Sequence, residues 1–301
     1  MEISGCGTAL ITPFRGDGSL DEKALGSLVR WQVESGVNFF LACGTTGEAP
    51  TLSLEETERV TEVAIEAAAD VPVLVGCTHN STREAVARVR RFSRIAGLAG
   101  IVSANPYYNK PTQEGQFQHF KAIADATHLP VLLYNIPPRT AANLEPRTVA
   151  RLADAAPNIV GIKEASGNIA QVIELITLVS SRFKLFAGED SMTLPVIGAG
   201  GAGVIAVASN QIPAEMSQMV HAALRNDWVT AQSLERRFFK LMQANFWESN
   251  PGPVKCVLAM MGRITESYRL PMVPVQAATR ARLEKMASEI GLLEQRVARA
   301  H

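Results

Sequence analysis

Short, almost uninterrupted apolar runs recur along the chain and alternate with stretches of helical pattern. Most positions in each run are apolar, which is typical of strands buried on both faces of a parallel sheet. Each gap between successive runs leaves room for one helix and two loops. The pattern therefore predicts repeated β/α units with parallel strands. The eight runs span residues 7–13, 39–43, 72–77, 100–104, 130–134, 159–163, 184–187 and 203–207.

The gaps carry apolar residues at helical spacing, as between residues 25 and 33. Three of these helical patterns are preceded by a serine with a glutamate three positions later. In such a capping box the hydroxyl and the carboxylate each accept from a backbone N–H that the helix leaves unpaired. We therefore predict capping boxes at Ser19–Glu22, Ser53–Glu56 and Ser81–Glu84.

Eight β/α units in succession favour an α/β fold of the closed (β/α)8 TIM-barrel type, although an open, doubly wound sheet has the same local signature. After Gln211 the strand-like runs stop and helical pattern continues, as at 222–246, 253–261 and 275–293. We expect a barrel catalytic core at residues 1–213 and a C-terminal helical extension at 214–301 that packs on the barrel.

Composition narrows the class of function. Lys plus Arg equals Asp plus Glu at 29 each, so no overall charge would draw the chain to nucleic acid or to an anionic membrane. The uncharged stretch 191–214 contains two prolines and four glycines, which indicates a buried piece of the fold and not a membrane span. Chemistry on small molecules becomes the better expectation.

Neither a metal nor a cofactor is indicated. The four cysteines are scattered, and no Cys/His cluster has the spacing of a zinc site. The glycine-rich segment 198–203 matches a dinucleotide-binding pattern but precedes a strand, where that motif would follow one. Four scattered cysteines and the lack of a basic, then apolar, stretch after Met1 lead us to expect a cytoplasmic protein.

In a barrel of this type the active site lies at the carboxyl ends of the strands. Four predicted strands run at that end into polar segments, at 44–48, 105–110, 134–140 and 163–167. We expect these segments to meet at one mouth of the barrel.

Lys163 is the residue most in need of explanation, because it closes an apolar run and the chain has only eight lysines. Burial disfavours the ammonium form, and a neutral amine attacks a carbonyl to form a Schiff base. The alternative is a structural lysine paired with a carboxylate such as Glu164. Position alone gives the two interpretations equal weight.

Other side chains at the mouth have a functional and an ordinary interpretation. Tyr134 would serve as a proton relay, or is an interior aromatic with a satisfied hydroxyl. Thr45 and Thr46 would hold a carboxylate, or are turn residues. The planar guanidinium of Arg139 would bind a carboxylate through two hydrogen bonds, or Arg139 is a solvated loop residue.

Taken together, six ordered motifs resemble the dihydrodipicolinate synthase and N-acetylneuraminate lyase family of Schiff-base barrels, over essentially the whole chain. The motifs are Gly44-Thr-Thr-Gly-Glu48, Tyr107-Tyr-Asn-Lys-Pro111, Tyr134-Asn-Ile-Pro-Pro-Arg-Thr140, Gly161-Ile-Lys-Glu-Ala165, Gly200-Gly-Ala-Gly-Val-Ile205 and Asn250-Pro-Gly-Pro-Val-Lys255.

The resemblance implies that Lys163 forms an imine with pyruvate and that Tyr134 relays protons, with Thr46 and Tyr108 completing the relay. It also implies that Tyr108 reaches the site of a neighbouring subunit. A homo-oligomer, typically a tetramer, is therefore expected.

By the same resemblance, Thr45, Thr46 and the backbone near Gly188 and Ile205 cradle pyruvate, and Arg139 receives the carboxylate of the second substrate. Thr45 and Arg139 match the synthase branch of the family. The implied reaction condenses pyruvate with L-aspartate 4-semialdehyde to 4-hydroxy-tetrahydrodipicolinate, on the route to diaminopimelate and lysine.

Two positions depart from the synthase pattern. Ala49 and Ala141 stand where synthases commonly have serine and glycine. They motivate an alternative, a related class I pyruvate aldolase that acts on a sugar acid or another 2-oxo acid. A third hypothesis is a barrel that binds small carboxylates but catalyses no reaction. The sequence offers little support for it.

Overall fold

A computed structural model describes residues 3–293. Eight parallel strands close into a barrel in which each strand pairs with the next along the chain and β8 pairs with β1. The closed (β/α)8 prediction is therefore confirmed, and the open sheet is excluded. The strands are β1 (Gly5–Ala9), β2 (Phe39–Ala42), β3 (Val73–Gly76), β4 (Gly100–Ala104), β5 (Val131–Asn135), β6 (Ile159–Glu164), β7 (Lys184–Ala187) and β8 (Gly203–Ala206).

Helices surround the barrel and continue beyond it. Within the described residues they are α1 (Glu22–Glu34), α2 (Leu54–Ala68), α3 (Thr82–Phe92), α4 (Gln113–Asp125), α5 (Pro137–Thr140), α6 (Pro146–Ala155), α7 (Ile169–Leu178), α8 (Thr193–Gly198), α9 (Pro213–Leu224), α10 (Trp228–Ala244), α11 (Gly252–Met260) and α12 (Ala277–Glu289).

The barrel interior is filled by side chains and is not a pore. Phe39 in β2 and Phe186 in β7 meet edge to face with their ring centroids 5.3 Å apart, although their strands are not neighbours. A Cβ atom on Gly7 would lie 2.3 Å from the Phe39 ring, so only glycine fits opposite it. Leu132, Tyr134 and Ile205 belong to the same interior cluster as this pair.

One of the three predicted capping boxes is confirmed. Ser53 Oγ accepts from the backbone N–H of Glu56 at 3.1 Å, and the Glu56 carboxylate accepts from the Ser53 N–H at 3.0 Å. This reciprocal pair begins α2 as the sequence predicts.

The other two boxes are wrong. Helix α1 is capped by Asp21, whose Oδ1 accepts from Ala24 N–H at 3.0 Å, while the Ser19 hydroxyl donates to Asp17 at 2.6 Å. Asp21 caps the helix instead of Ser19 because it lies one residue before the first helical turn, where its carboxylate reaches the free N–H groups. Ser81 does stand at the N-cap of α3, but its side chain makes no capping hydrogen bond.

The helical pattern at 222–246 is divided between two helices. The chain breaks after α9, where Asn226 adopts a left-handed φ of 64°, and resumes as α10. Asp227 caps α10 by accepting from Thr230 N–H at 3.1 Å. Asn226 tolerates a positive φ, which ends the first helix, and the short side chain of Asp227 can cap the second. The proposed division of the chain at residue 213 stays a prediction.

The uncharged stretch 191–214 is folded into the barrel wall and includes α8 and β8. In residues 3–293 no helix has the length and apolar character needed to cross a membrane.

Candidate active site

Lys163 lies near the carboxyl end of β6 and is 4% exposed. Burial lowers the pKa of its amine to about 8, with the negative charge of Asp190 opposing the shift and the positive charge of Arg139 adding to it. Loss of the hydration shell penalises the ammonium form more than the neutral amine. The geometry therefore supplies a lysine that is partly neutral at ordinary pH.

Glu164 does not pair with this lysine. Successive side chains of a strand point to opposite faces, and the Glu164 carboxylate accepts from Asn135 Nδ2 at 3.0 Å and from Ser166 N–H at 2.6 Å. Within residues 3–293, Lys163 forms no ion pair with any carboxylate. The structure does not support the interpretation of Lys163 as a salt-bridged structural residue.

Tyr134 lies beside Lys163 because β5 and β6 pair in register at these two residues. The Lys163 Nζ atom is 4.6 Å from the centroid of the tyrosine ring. Burial raises the pKa of Tyr134 to about 12, which the charge of Arg139 and hydrogen bonding to Thr45 partly oppose. Tyr134 therefore keeps its hydroxyl proton at neutral pH and can donate it.

Thr45 and Thr46 follow β2, in the loop that leads toward α2. Thr46 is 2% exposed, and its Oγ1 accepts a hydrogen bond from Asn250 Nδ2 at 2.9 Å. The next loop residue, Gly47, is held by the Thr12 hydroxyl, which donates to its carbonyl at 2.7 Å. These bonds hold the loop in one conformation.

Gly188 and Ile205 complete the floor around the lysine. A Cβ atom on Gly188 would lie 3.1 Å from Lys163 Cγ and 2.7 Å from Ala165 Cβ, so the glycine leaves room for the lysine side chain. Ile205 is fully buried in β8 and packs in the same interior cluster as Tyr134. The structure brings both residues to the predicted site.

Arg139 lies at the rim, on the short helix α5 that follows β5. Its side chain is exposed, yet its charge acts on both Lys163 and Tyr134. A guanidinium in this place is free to receive a carboxylate from solution.

Tyr108 is not brought to Lys163 within one chain. It is 87% exposed, and its backbone adopts a left-handed φ of 75°. Its N–H donates to the Thr140 carbonyl at 3.4 Å, which ties this loop to α5. The ring thus projects from the rim of the barrel.

The sequence reasoning missed Asp190, which is 1% exposed beyond the end of β7. Its two carboxylate oxygens accept from the N–H groups of Val207 and Ala208 at 2.9 and 2.7 Å. Burial raises the pKa of Asp190 to about 6, although both backbone bonds and the charge of Lys163 lower it. The sequence feature that could have pointed to Asp190 is its position as an acidic residue directly before the long uncharged stretch at 191–214.

A buried ion pair was also missed. Lys255 Nζ in α11 and Glu48 Oε1 are 2.5 Å apart, with both side chains 1% exposed or less. Both residues stand at the ends of quoted motifs, but nothing in their spacing indicates a contact. The pair joins the loop of Thr46 to the helical extension.

Within residues 3–293, no group of three or more His, Cys, Asp or Glu side chains could hold a metal ion.

Comparison with known proteins adds independent information. A profile of the dihydrodipicolinate synthetase family matches residues 2–290. The 4-hydroxy-tetrahydrodipicolinate synthase of Acidobacterium capsulatum is 58% identical, over 97% of this chain and 97% of that protein. Its counterpart in Koribacter versatilis is 54% identical, over 98% of each chain.

Solved structures agree with the sequence comparisons. Dihydrodipicolinate synthase from Aquifex aeolicus superposes with a TM-score of 0.94 at 37% identity, covering 97% of this chain and 100% of that one. The chloride-inhibited synthase from Acinetobacter baumannii, solved in complex with pyruvate, has a TM-score of 0.94 at 39% identity, with 97% and 100% coverage.

Proposed function

This chain belongs to the dihydrodipicolinate synthetase family, and on that premise we propose how its residues condense pyruvate with L-aspartate 4-semialdehyde. The product is 4-hydroxy-tetrahydrodipicolinate, the compound for which its curated relatives are named. The enzyme is a class I aldolase-type lyase that serves diaminopimelate and lysine biosynthesis.

The burial of Lys163 carries the assignment of the nucleophile: the side chain is 4% exposed and has no carboxylate partner within residues 3–293, and its burial lowers its pKa to about 8. The neutral amine attacks the keto carbon of pyruvate. Water then leaves the carbinolamine to give the imine, and this step needs a proton donor. Tyr134, with its proton retained, stands beside the amine to supply it.

The imine makes the methyl group of pyruvate acidic, and the Tyr134 phenolate left by the loss of water takes one of its protons, which gives an enamine and restores the tyrosine hydroxyl. The enamine carbon attacks the aldehyde of the second substrate, and the aldehyde oxygen takes up the proton from Tyr134. The amine of that substrate then displaces Lys163 from the imine carbon as the ring closes. The lysine is thereby released as the free amine, ready for the next pyruvate.

Pyruvate binding is assigned to Thr45, Thr46 and the backbone at Gly188 and Ile205, where hydroxyl and amide groups would hold its carboxylate. The exposed guanidinium of Arg139 would take the carboxylate of the second substrate. The aldolase alternative, which Ala49 and Ala141 motivated, finds no support, because the near full-length relatives reported above are named as synthases.

The backbone at Ala141 offers a physical reason for glycine at this position in other synthases. Ala141 ends α5 with a left-handed φ of 56°. Only the absence of a Cβ atom makes this conformation free of strain. The departure therefore adds strain to this turn.

We also propose that the enzyme works as a homo-oligomer, such as a tetramer, in which Tyr108 enters the site of a neighbouring subunit. The 87% exposure of this tyrosine and its left-handed backbone support the idea. The four buried, unpaired cysteines support a cytoplasmic location, where thiols stay reduced.

Borohydride trapping tests the assignment. The wild-type chain is incubated with pyruvate and borohydride, and the adduct is located by peptide mass spectrometry, with Lys163→Arg as the matched control. We expect one reduced pyruvate adduct on Lys163 and none in the control. An unmodified Lys163, or equal labelling of other lysines, would refute the nucleophile. Product formation with aspartate semialdehyde tests the second substrate separately.

A further inference from the structure

The loop that carries Thr46 is held by residues of the helical extension, more than 200 positions away in the chain. We propose that Asn250 is a positioning residue, which directs the Thr46 hydroxyl proton toward the reacting centre. The inference rests on the proposed function, in which Thr46 faces pyruvate.

The hydrogen bond between these two side chains determines what the threonine can do. A hydroxyl has one proton to donate and two lone pairs that accept. Asn250 Nδ2 donates to Thr46 Oγ1 at 2.9 Å and so occupies one lone pair. Across residues 3–293 the Thr46 hydroxyl donates to no protein acceptor, which leaves its proton available for the substrate or for Tyr134.

Thr46 is the one hydrogen-bond partner of the Asn250 side chain within residues 3–293. The Asn250 side chain is 5% exposed, and the bond to Thr46 is the one hydrogen bond that its amide makes with the described protein. The buried Asn250 Oδ1 has no partner there. The one hydrogen bond of this side chain is therefore directed at the Thr46 hydroxyl.

The buried ion pair prevents the two segments from separating. Lys255, five positions after Asn250, meets Glu48, two positions after Thr46, at 2.5 Å. Glu48 adopts a left-handed φ of 54°, and its second carboxylate oxygen accepts from Arg269 N–H at 3.3 Å. These contacts anchor the backbone beside Thr46, and the bond from Asn250 limits rotation of the threonine hydroxyl.

A double-mutant cycle with Asn250→Ala and Thr46→Val tests the inference. Because a misdirected catalytic group slows the reaction even when the fold is intact, we expect each single variant to lower kcat by about 10- to 100-fold. The double variant should be no slower than Thr46→Val alone, since Asn250 acts through the hydroxyl. The KM for pyruvate should change much less than kcat.

Asn250→Asp tests the direction of the bond and guards against a misfolded alanine variant. The aspartate has nearly the same shape, but its carboxylate only accepts, so it would draw the Thr46 proton away from the site. We expect slow imine formation in borohydride trapping by a chain that circular dichroism shows to be folded. Full activity of Asn250→Asp would overturn the proposal.

Asn245→Ala is the matched control, because its Nδ2 makes a buried hydrogen bond to Gln211 at 2.9 Å in the same extension. It should lower the unfolding midpoint without the selective loss of kcat. Independent, additive losses from Asn250→Ala and Thr46→Val would refute the positioning role. A fully active Thr46→Val would remove the role of Thr46 and this inference together, while trapping on Lys163 would still support the nucleophile.

Discussion

At the scale of single residues, reactivity depends on a balance of burial and charge around Lys163. A free lysine with a pKa near 10.5 is neutral in about one molecule in three thousand at pH 7, whereas a pKa of about 8 raises that share to about one in ten. Burial is the largest cause of this shift, and Asp190 is the main opposing charge. The protein thus keeps the amine nucleophilic without an adjacent base.

The first prediction concerns the pH dependence of imine formation. Since only the neutral amine attacks, the rate should rise about tenfold per pH unit below pH 8 and level off above it. Asp190→Asn removes a charge that raises the pKa of Lys163, so the break should move to lower pH. Stopped-flow or quenched trapping with pyruvate over a pH series measures the break.

Glu189→Gln is the control for this prediction. Glu189 neighbours Asp190 and accepts from the Ser191 hydroxyl at 2.9 Å, but its charge is not among the causes of the Lys163 shift. Its removal should leave the break where it is. A break that stays in place or rises in Asp190→Asn would contradict the electrostatic role of that carboxylate.

At the scale of elements, local sequence predicts where helices begin but not which side chain caps them. Ser53 and Ser81 both stand at an N-cap with a glutamate three positions on. In α2 the reciprocal bonds form, whereas in α3 Glu84 pairs with Arg83 at 3.2 Å and the serine N–H donates to His79 Nδ1 at 3.0 Å. Competing neighbours decide between the two outcomes.

The second prediction uses this pair of serines. Ser53→Ala should lower the free energy of unfolding by about 1 kcal/mol, because a backbone N–H of α2 loses its partner. Ser81→Ala should cost clearly less, since its hydroxyl makes no capping bond. Denaturant unfolding of the two variants provides the comparison, and equal losses would show that the hydroxyl bond at Ser53 contributes little.

At the scale of the whole molecule, the barrel and its extension build the site jointly. The strands bring Tyr134 and Lys163 side by side, and the extension holds the loop of Thr46 through Asn250 and Lys255. One predicted site residue, Tyr108, stays outside this arrangement in the single chain. Completion of the site by a second copy is the expectation that follows.

The third prediction is recovery of activity between two inactive chains. Lys163→Ala lacks the nucleophile, and Tyr108→Phe lacks the hydroxyl that is proposed to cross the interface. If Tyr108 crosses the interface as proposed, the first chain of a mixed dimer would lend its Tyr108 to the second chain's Lys163 and restore one of the two sites. Random pairing of co-expressed chains should return about a quarter of the wild-type activity.

The control replaces the second chain with one that carries both substitutions, which should yield no activity. The shared site would be excluded if Tyr108→Phe alone worked at the wild-type rate. It would also be excluded if the mixture were no more active than its two components. Sedimentation of the mixed sample confirms that oligomers form.

The eight strands, their parallel order and the position of Lys163 at a strand end can all be inferred from local sequence pattern. Apolar runs at regular separation are local patterns, and a buried parallel strand imposes them on consecutive residues. The motif order likewise identified the family before any geometry was known.

The chemical environment of these residues, in contrast, comes from packing between distant parts of the chain. The share of Lys163 that is neutral is raised by burial and lowered by the charge of Asp190, and the Thr46 loop depends on contacts with Asn250 and Lys255. Such contacts join positions about 200 residues apart in the chain, as for Asn250 and Thr46 at a separation of 204. No local pattern encodes them, because the residues meet only once the barrel has closed and the extension has packed against it.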